Sequence, residues 1–381
     1  MKYIDIQNIE YSLFKENQFN GRYINLDDFY TFITTKYSDK IEITGYSFLN
    51  KPIYKLRIGN GKKNVLMWTQ MHGNESTGTL ACLDLINFLH IENEFSRHII
   101  SELTIDILFI LNPDGAEKWT RRNAIGIDIN RDFIAEQSPE IKILKKQFQL
   151  KKYDLGFNLH DQRSIFHVEN STVSSTLSFL SPSVDYERNI NNIRKKSMGI
   201  IAHINNKMQA ILPNAISRFS DEYYPNSTGD NFQKMGIPNI LFEAGHFPND
   251  YLRKETRKYF SIALISALQY ISAENNWEMN WEKYFEIPEN NSRMFDILIK
   301  NIGISYNSKQ CNIDIAIQYK ERLNTIKNEI EFIPYIEEIG DLSIFYGLKT
   351  IDIKNQIILS NTFISIGDRA EGLFERIADY I

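Results

Sequence analysis

Two histidines and two glutamates stand where one metal ion and one base could use them together. The chain has only seven histidines in 381 residues. His72 and Glu75 lie three apart in His72-Gly73-Asn74-Glu75, directly after the apolar run 65–71. His160 sits in Leu159-His160-Asp161, after the run 155–159. Glu243 lies in Phe242-Glu243-Ala244-Gly245-His246, at the end of the run that begins at residue 240. A catalytic zinc ion takes three protein ligands from His, Cys or carboxylate and keeps a fourth position for water, whose pKa falls to about 7. His72 and Glu75 on one turn, with His160 as the distant third ligand, would make such a set. A separate group must then take the proton from water and hand it to a leaving amine. Glu243, emerging from an apolar run, is the candidate, because an unpaired buried carboxylate is costly without a function.

Hydrolysis of an amide also builds negative charge on the carbonyl oxygen. Arg121 and Arg122 are both available for it, just beyond Asn112-Pro113-Asp114-Gly115. Asn130-Arg131 follow in Gly126-Ile127-Asp128-Ile129-Asn130-Arg131-Asp132-Phe133. A planar guanidinium beside an amide suits bidentate capture of a free carboxylate. The bland readings stand beside these. A His and a Glu three apart recur by chance, and Arg131 could simply pair with Asp128 or Asp132. His246 reads as a structural neighbour of the base rather than a fourth ligand. His90, His98, His167 and His203 read as surface or satisfied core positions.

All four motif segments end apolar runs, and that organises the fold. A buried parallel strand reads as such a run, and ligands bind beyond the carboxyl ends of strands in open α/β sheets. Apolar spacing predicts helices over 25–36, 76–90, 139–151, 186–209 and 251–273. Strands are expected over 41–46, 52–58, 105–111, 155–159 and 237–242, with a tight turn at Asn112-Pro113-Asp114-Gly115. A polar, tyrosine-bearing loop is expected over 217–229. The fold class is therefore α/β, with a mixed, mostly parallel central sheet flanked by helices.

The texture changes after residue 274, where a polar segment carries Trp277 and Trp281, read as packing between domains. Period-two patterns then follow at Ile313, Ile315 and Ile317, at Leu342 and Ile344, and at Ile351 and Ile353. A closing helix is expected over 368–380. The division predicted is a catalytic domain over 1–280 and a small C-terminal β-rich domain over 290–381.

The bulk numbers bound the function class. A net charge of −5 and a pI near 5.9 argue against a nucleic-acid binder. Arg194-Lys195-Lys196 reads as a solvated helix face. Cys82 and Cys311, far apart and each in an apolar context, read as two buried free thiols of a reducing compartment. The opening Met1-Lys2-Tyr3-Ile4-Asp5-Ile6-Gln7 has no signal-peptide pattern, and no run reaches membrane-span length. The expectation is a cytoplasmic protein without membrane or nucleic-acid partners; oligomeric state stays open.

In order and in kind, the His72–Glu75 segment, Asn112–Gly115, Arg121 to Phe133, Leu159–Asp161 and Phe242–Gly245 resemble the zinc carboxypeptidase family. The resemblance spans roughly residues 25–275. It implies one Zn2+ ion held by His72, Glu75 and His160. It further implies Arg121 as the arginine of the transition state, Asn130 and Arg131 as holders of a substrate's terminal carboxylate, and Glu243 as the general base. The family's mobile tyrosine falls on Tyr223 or Tyr224, with Tyr224 preferred. By the same likeness residues 225–233 line the side-chain pocket, and Asp230 there disfavours an acidic substrate side chain. The function implied is a metallocarboxypeptidase acting on peptides. Alternatives are a zinc amidase or deacylase acting on murein peptides or N-acyl amino acids, or a non-catalytic binding module on the same fold.

Overall fold

A computed structural model describes residues 3–380, so Met1-Lys2 of the opening segment lie outside it. The first part runs α1 (Leu26–Lys36), β1 (Ile41–Tyr46), β2 (Pro52–Ile58), β3 (Lys63–Thr69), α2 (Thr77–Leu89), α3 (Glu94–Glu102) and β4 (Leu103–Phe109). Next come α4 (Pro113–Lys118), α5 (Pro139–Leu150), β5 (Leu155–Asp161), β6 (His167–Val168), β7 (Leu177–Leu180) and α6 (Asn192–Met208). It closes with β8 (Ile216–Arg218), α7 (Thr228–Lys234), β9 (Asn239–Ala244) and α8 (Lys254–Ala273). Eight strands form one sheet in the order β1-β2-β4-β3-β5-β9-β7-β8. Its centre is parallel from β4 through β9, while β1, β2 and the β9–β7 pair are antiparallel.

Alternation along each central strand feeds two cores. Val65, Met67, Phe157 and Leu159 pack under α2, α6 and α8, whereas Leu66 and Trp68 face α5 and α7 with Phe232. The side chains that alternate with Phe157 and Leu159 on β5 are Asn158 and His160. Sheet pleat alone therefore sends both to the second face.

Several boundaries differ from the sequence expectation, each for a local reason. Asn112-Pro113-Asp114-Gly115 is the start of α4 rather than a free turn: the Asn112 side chain accepts from the Gly115 N–H at 2.9 Å, and Pro113 occupies the first turn. The long helix begins at Asn192, where Asn191 caps it by accepting from the Arg194 N–H. β9 runs on to Ala244, so Glu243 lies within the ladder and pairs in register with His160. Strands β7 and β8 are short and serine-bearing, and carry no long apolar run to announce them.

The remainder is β10 (Asn290–Asn291), β11 (Met294–Tyr306), β12 (Lys309–Asn324), β13 (Glu329–Gly340), β14 (Tyr346–Asp352), β15 (Ile357–Ser360) and α9 (Glu371–Arg376). A second sheet has the order β13-β12-β11-β14, with β15 also on β11, and buries Ile299, Ile315, Ile317 and Ile351 around Leu373. Leu342 and Ile344 are not a strand. They lie in the β13–β14 turn, where the Phe345 N–H donates to the Leu342 carbonyl, and Ile344 is exposed. The closing helix shortens to α9 followed by a single 3-10 turn.

Three further expectations change. Trp277 and Trp281 pack on α6: a Cβ at Gly199 would come within 2.1 Å of the Trp277 carbonyl oxygen, and Lys195 Nζ lies 4.9 Å from the Trp281 ring. They do not pack between the two sheets. Arg194 is buried and paired with Asp221, since its helix face turns inward. Cys82 is buried but Cys311 is exposed near the hairpin end of β12. No helix of the described residues is long and apolar enough to cross a membrane.

Candidate active site

The turn after β3 is held tightly against α4. A Cβ at Gly73 would stand 2.1 Å from the Gly115 carbonyl carbon, so only glycine lets these two segments meet. Gln70 and Ile110, both at positive φ, shape the two strand ends, and the Asn112 N–H donates to the Gln70 carbonyl. A β-branched residue in that region is strained, which marks this crossover as a place the surrounding structure imposes.

His72, Glu75 and His160 converge here. Their candidate ligand atoms all lie within 4.8 Å of one another, and all three residues are buried. His72 Nδ1 is 2.8 Å from Glu75 Oε1, His160 Nδ1 is 2.8 Å from Glu75 Oε2, and the two Nδ1 atoms are 3.1 Å apart. A tetrahedral zinc with bonds of about 2.0–2.1 Å separates its donor atoms by about 3.3 Å. Two imidazole nitrogens and a carboxylate therefore fit that ion in both type and spacing. On the far side of the His72 ring, Nε2 meets Asp128 Oδ1 at 3.0 Å, the carboxylate–histidine arrangement that fixes a metal-ligating ring. Asp128 is not the partner of Arg131.

Electrostatics in the site follow from burial. It works against a charged His72, yet the Glu75 and Asp128 carboxylates raise its pKa above the ordinary value. Burial lowers His160 to about 4, with His72 and Arg121 adding to that effect. Glu75, although buried, is held well below the carboxylate range by the two histidines. Glu243 is the opposite case. Burial, then the Glu75 and Asp161 charges, push it well above that range, and its Oε2 has no protein partner among the described residues.

The two arginines separate. Arg121 Nη1 lies 3.1 Å from His72 Nδ1 and 3.2 Å from Glu75 Oε1, and its Nε donates to Asp128 at 3.0 Å. Arg122 instead donates to the Gly126 carbonyl and does not line the cleft. Asn130 accepts from the Thr228 N–H at 3.2 Å, and Arg131 donates to the Asn130 carbonyl. The Arg131 guanidinium carbon is 5.1 Å from the centre of the Tyr224 ring. Tyr224 is half exposed on the cleft with its hydroxyl on Glu222, whereas Tyr223 is buried against Tyr186. His246 is buried beside Tyr251, outside the ligand cluster.

These groups line one cleft of about 850 Å³. Several of its lining residues escape the sequence reading. Asn158 is fully buried, and neither side-chain polar atom has a protein partner among the described residues. Its signal was a lone amide in an otherwise apolar strand. Arg22 and Trp119 also line the cleft, and no local pattern announces them. Asp230 faces it too, its carboxyl raised by burial to about 6.

Residues 26–170 match the zinc carboxypeptidase family. The match includes His72, Glu75, Arg121, Asn130, Arg131 and His160, and stops short of Tyr224 and Glu243. No curated protein sequence matches the chain. Among solved structures, the metallo-carboxypeptidase from Burkholderia cenocepacia is similar at 16% identity, with 65% of this chain and 69% of that chain covered and a TM-score of 0.51. Bovine thrombin-activatable fibrinolysis inhibitor, solved with tick carboxypeptidase inhibitor, shares 18% identity over 65% and 97%, with a TM-score of 0.53. A further structure of thrombin-activatable fibrinolysis inhibitor gives 17% over 70% and 79%, at 0.55. At such identities these likenesses are of fold. The family match over residues 26–170, together with the His-Glu-His set, supports a zinc-dependent metallocarboxypeptidase domain, a hydrolase.

Proposed function

We propose that this domain removes the C-terminal residue of peptides, and that the released residue carries a basic or polar side chain. The observation that carries the reading is the placement of Arg131 and Asn130 in the same cleft as the His72, Glu75 and His160 set. Arg131 would hold the free carboxylate, with Tyr224 stacked on the guanidinium and closing over it. Asn158 and Asp230 would receive the side chain. Above pH 6 Asp230 is mostly ionised, so a cationic group is favoured and an acidic one repelled.

Bound zinc would polarise the scissile carbonyl and lower the pKa of a water molecule. Glu243 would accept the proton of the attacking water at its free Oε2 and deliver it to the departing amine. Arg121, whose Nη1 faces the ligand set, would stabilise the oxyanion. We infer that residues 1–280 form this catalytic unit and 290–381 a smaller module.

The test compares peptides ending in Lys, Arg, Asn, Leu or Glu with their C-terminal amides, with N-acyl amino acids and with murein tripeptides. Peptides ending in Lys or Arg should turn over fastest, and their amides should be inert. Arg131→Ala should raise KM by about ten- to a hundredfold, the worth of a charge-assisted hydrogen bond. Equal turnover of acids and amides, or no effect of the Arg131 change, would remove the carboxylate reading.

A further inference from the structure

The second sheet lines the active-site cleft. Gln318, Tyr319, Lys320 and Glu321 of β12 and Glu337 of β13 face the same cavity as His72, His160 and Glu243. Their position relative to the bond cleaved follows from β5. Along that strand Asn158 marks the side-chain pocket and His160 the ligand set, and the chain continues through Arg163 to Ser164. Ser164 Oγ accepts from Gln318 Nε2 at 2.8 Å, and the Ile165 carbonyl accepts from the Met294 N–H at 3.2 Å. The ligand set therefore stands between the pocket for the released residue and the second sheet. What faces that sheet is the acyl side of the substrate.

The sheet is also fastened there. The Glu321 carboxylate takes Arg22 Nη1 on one oxygen and the Trp119 indole N–H on the other, at 2.9 Å for the latter. Trp119 ends α4 at positive φ, two residues before Arg121. A second fastening is the buried Asp296, which accepts from the Tyr251 hydroxyl at 3.0 Å and from the Tyr319 N–H at 2.7 Å. Tyr251 packs its ring edge-on to Tyr319, 5.2 Å between centroids. Moving the sheet aside would break the Glu321 bonds to Arg22 and Trp119 and the Asp296 bond to Tyr251, which opposes its displacement while substrate binds.

We propose that the C-terminal sheet is a fixed wall on the acyl side of the substrate site, restricting the enzyme to short peptidyl or acyl groups. This rests on the carboxypeptidase reading above and narrows its substrate class. Longer chains and the termini of folded proteins must turn out over Lys320 and Glu337, whereas a dipeptide or an N-acyl amino acid ends before the wall. An extended chain lengthens by about 3.3–3.6 Å per residue, so each residue added on the acyl side carries it further toward that wall.

The test is a series sharing one C-terminal Lys, from N-acyl lysine and a dipeptide to an octapeptide. Turnover is measured on the zinc-loaded enzyme, and binding by calorimetry on zinc-loaded Glu243→Gln. The expected result is a fall of at least tenfold in both kcat/KM and affinity between dipeptide and octapeptide. Lys320→Ala with Glu337→Ala, both exposed, should raise the octapeptide-to-dipeptide ratio at least threefold, at the cost of the Lys320 contact with the Tyr335 ring. Constant values along the series, or a ratio unmoved by the double variant, would overturn the wall. If no carboxylate-terminated ligand binds or turns over, the carboxypeptidase reading fails and the proposal falls with it.

Discussion

Glu243→Gln is expected to bind one zinc ion per chain and to lose about 10²–10⁴-fold in kcat, the range general acid–base groups supply. The geometry sets this expectation apart from a general loss of folding. Glu243 pairs in register with His160 but its Oε2 has no protein partner among the described residues, so an amide of the same shape breaks no hydrogen bond at that atom. It also removes a carboxyl that burial and the Glu75 charge make unfavourable to ionise. The variant should therefore be as stable as the parent or more so while being nearly inactive. Metal content, melting temperature and single-turnover rate on one preparation check all three. Full activity in Glu243→Gln would end the role assigned to this residue.

The second large effect is at Arg121. Arg121→Ala should lower kcat by about 10²–10³-fold, the cost of losing an oxyanion donor, with little change in KM. Arg122→Ala should stay near the parent, because that side chain meets only the Gly126 carbonyl and lies outside the cleft. Arg121 also holds Asp128, which in turn holds His72. A structural role would therefore show as weakened zinc binding, and unchanged zinc affinity in Arg121→Ala separates the two. If Arg122→Ala proved the damaging change, the assignment would be reversed.

The convergence of His72, Glu75 and His160 was legible in the sequence because His72-Gly73-Asn74-Glu75 and His160 each follow an apolar run, and such runs in an α/β chain become adjacent strands. Arg121 and Arg122 were not separable there: neighbours in sequence point differently only once α4 and the segment after it are placed. Sequence proximity offers Asp128 only as one alternative partner, with Asp132, for Arg131, whereas its carboxylate turns to His72. Asn158 passed unnoticed because a single amide does not disturb an apolar pattern, and its meaning depends on which sheet face carries His160. The wall made by β12 had no local signal at all. It arises from packing between segments about 150–300 residues apart, such as Ser164 with Gln318 and Arg22 with Glu321. Strands β7 and β8 escaped for a related reason, being short and serine-bearing toward the end of the sheet.

The central claim is that His72, Glu75 and His160 hold a single ion, and anomalous diffraction from crystals grown with zinc tests it most directly. The expected map has one zinc peak at about 2.0–2.2 Å from Nδ1 of each histidine and from a Glu75 oxygen. A zinc peak elsewhere, or zinc-treated crystals with no peak between those three side chains, would contradict it.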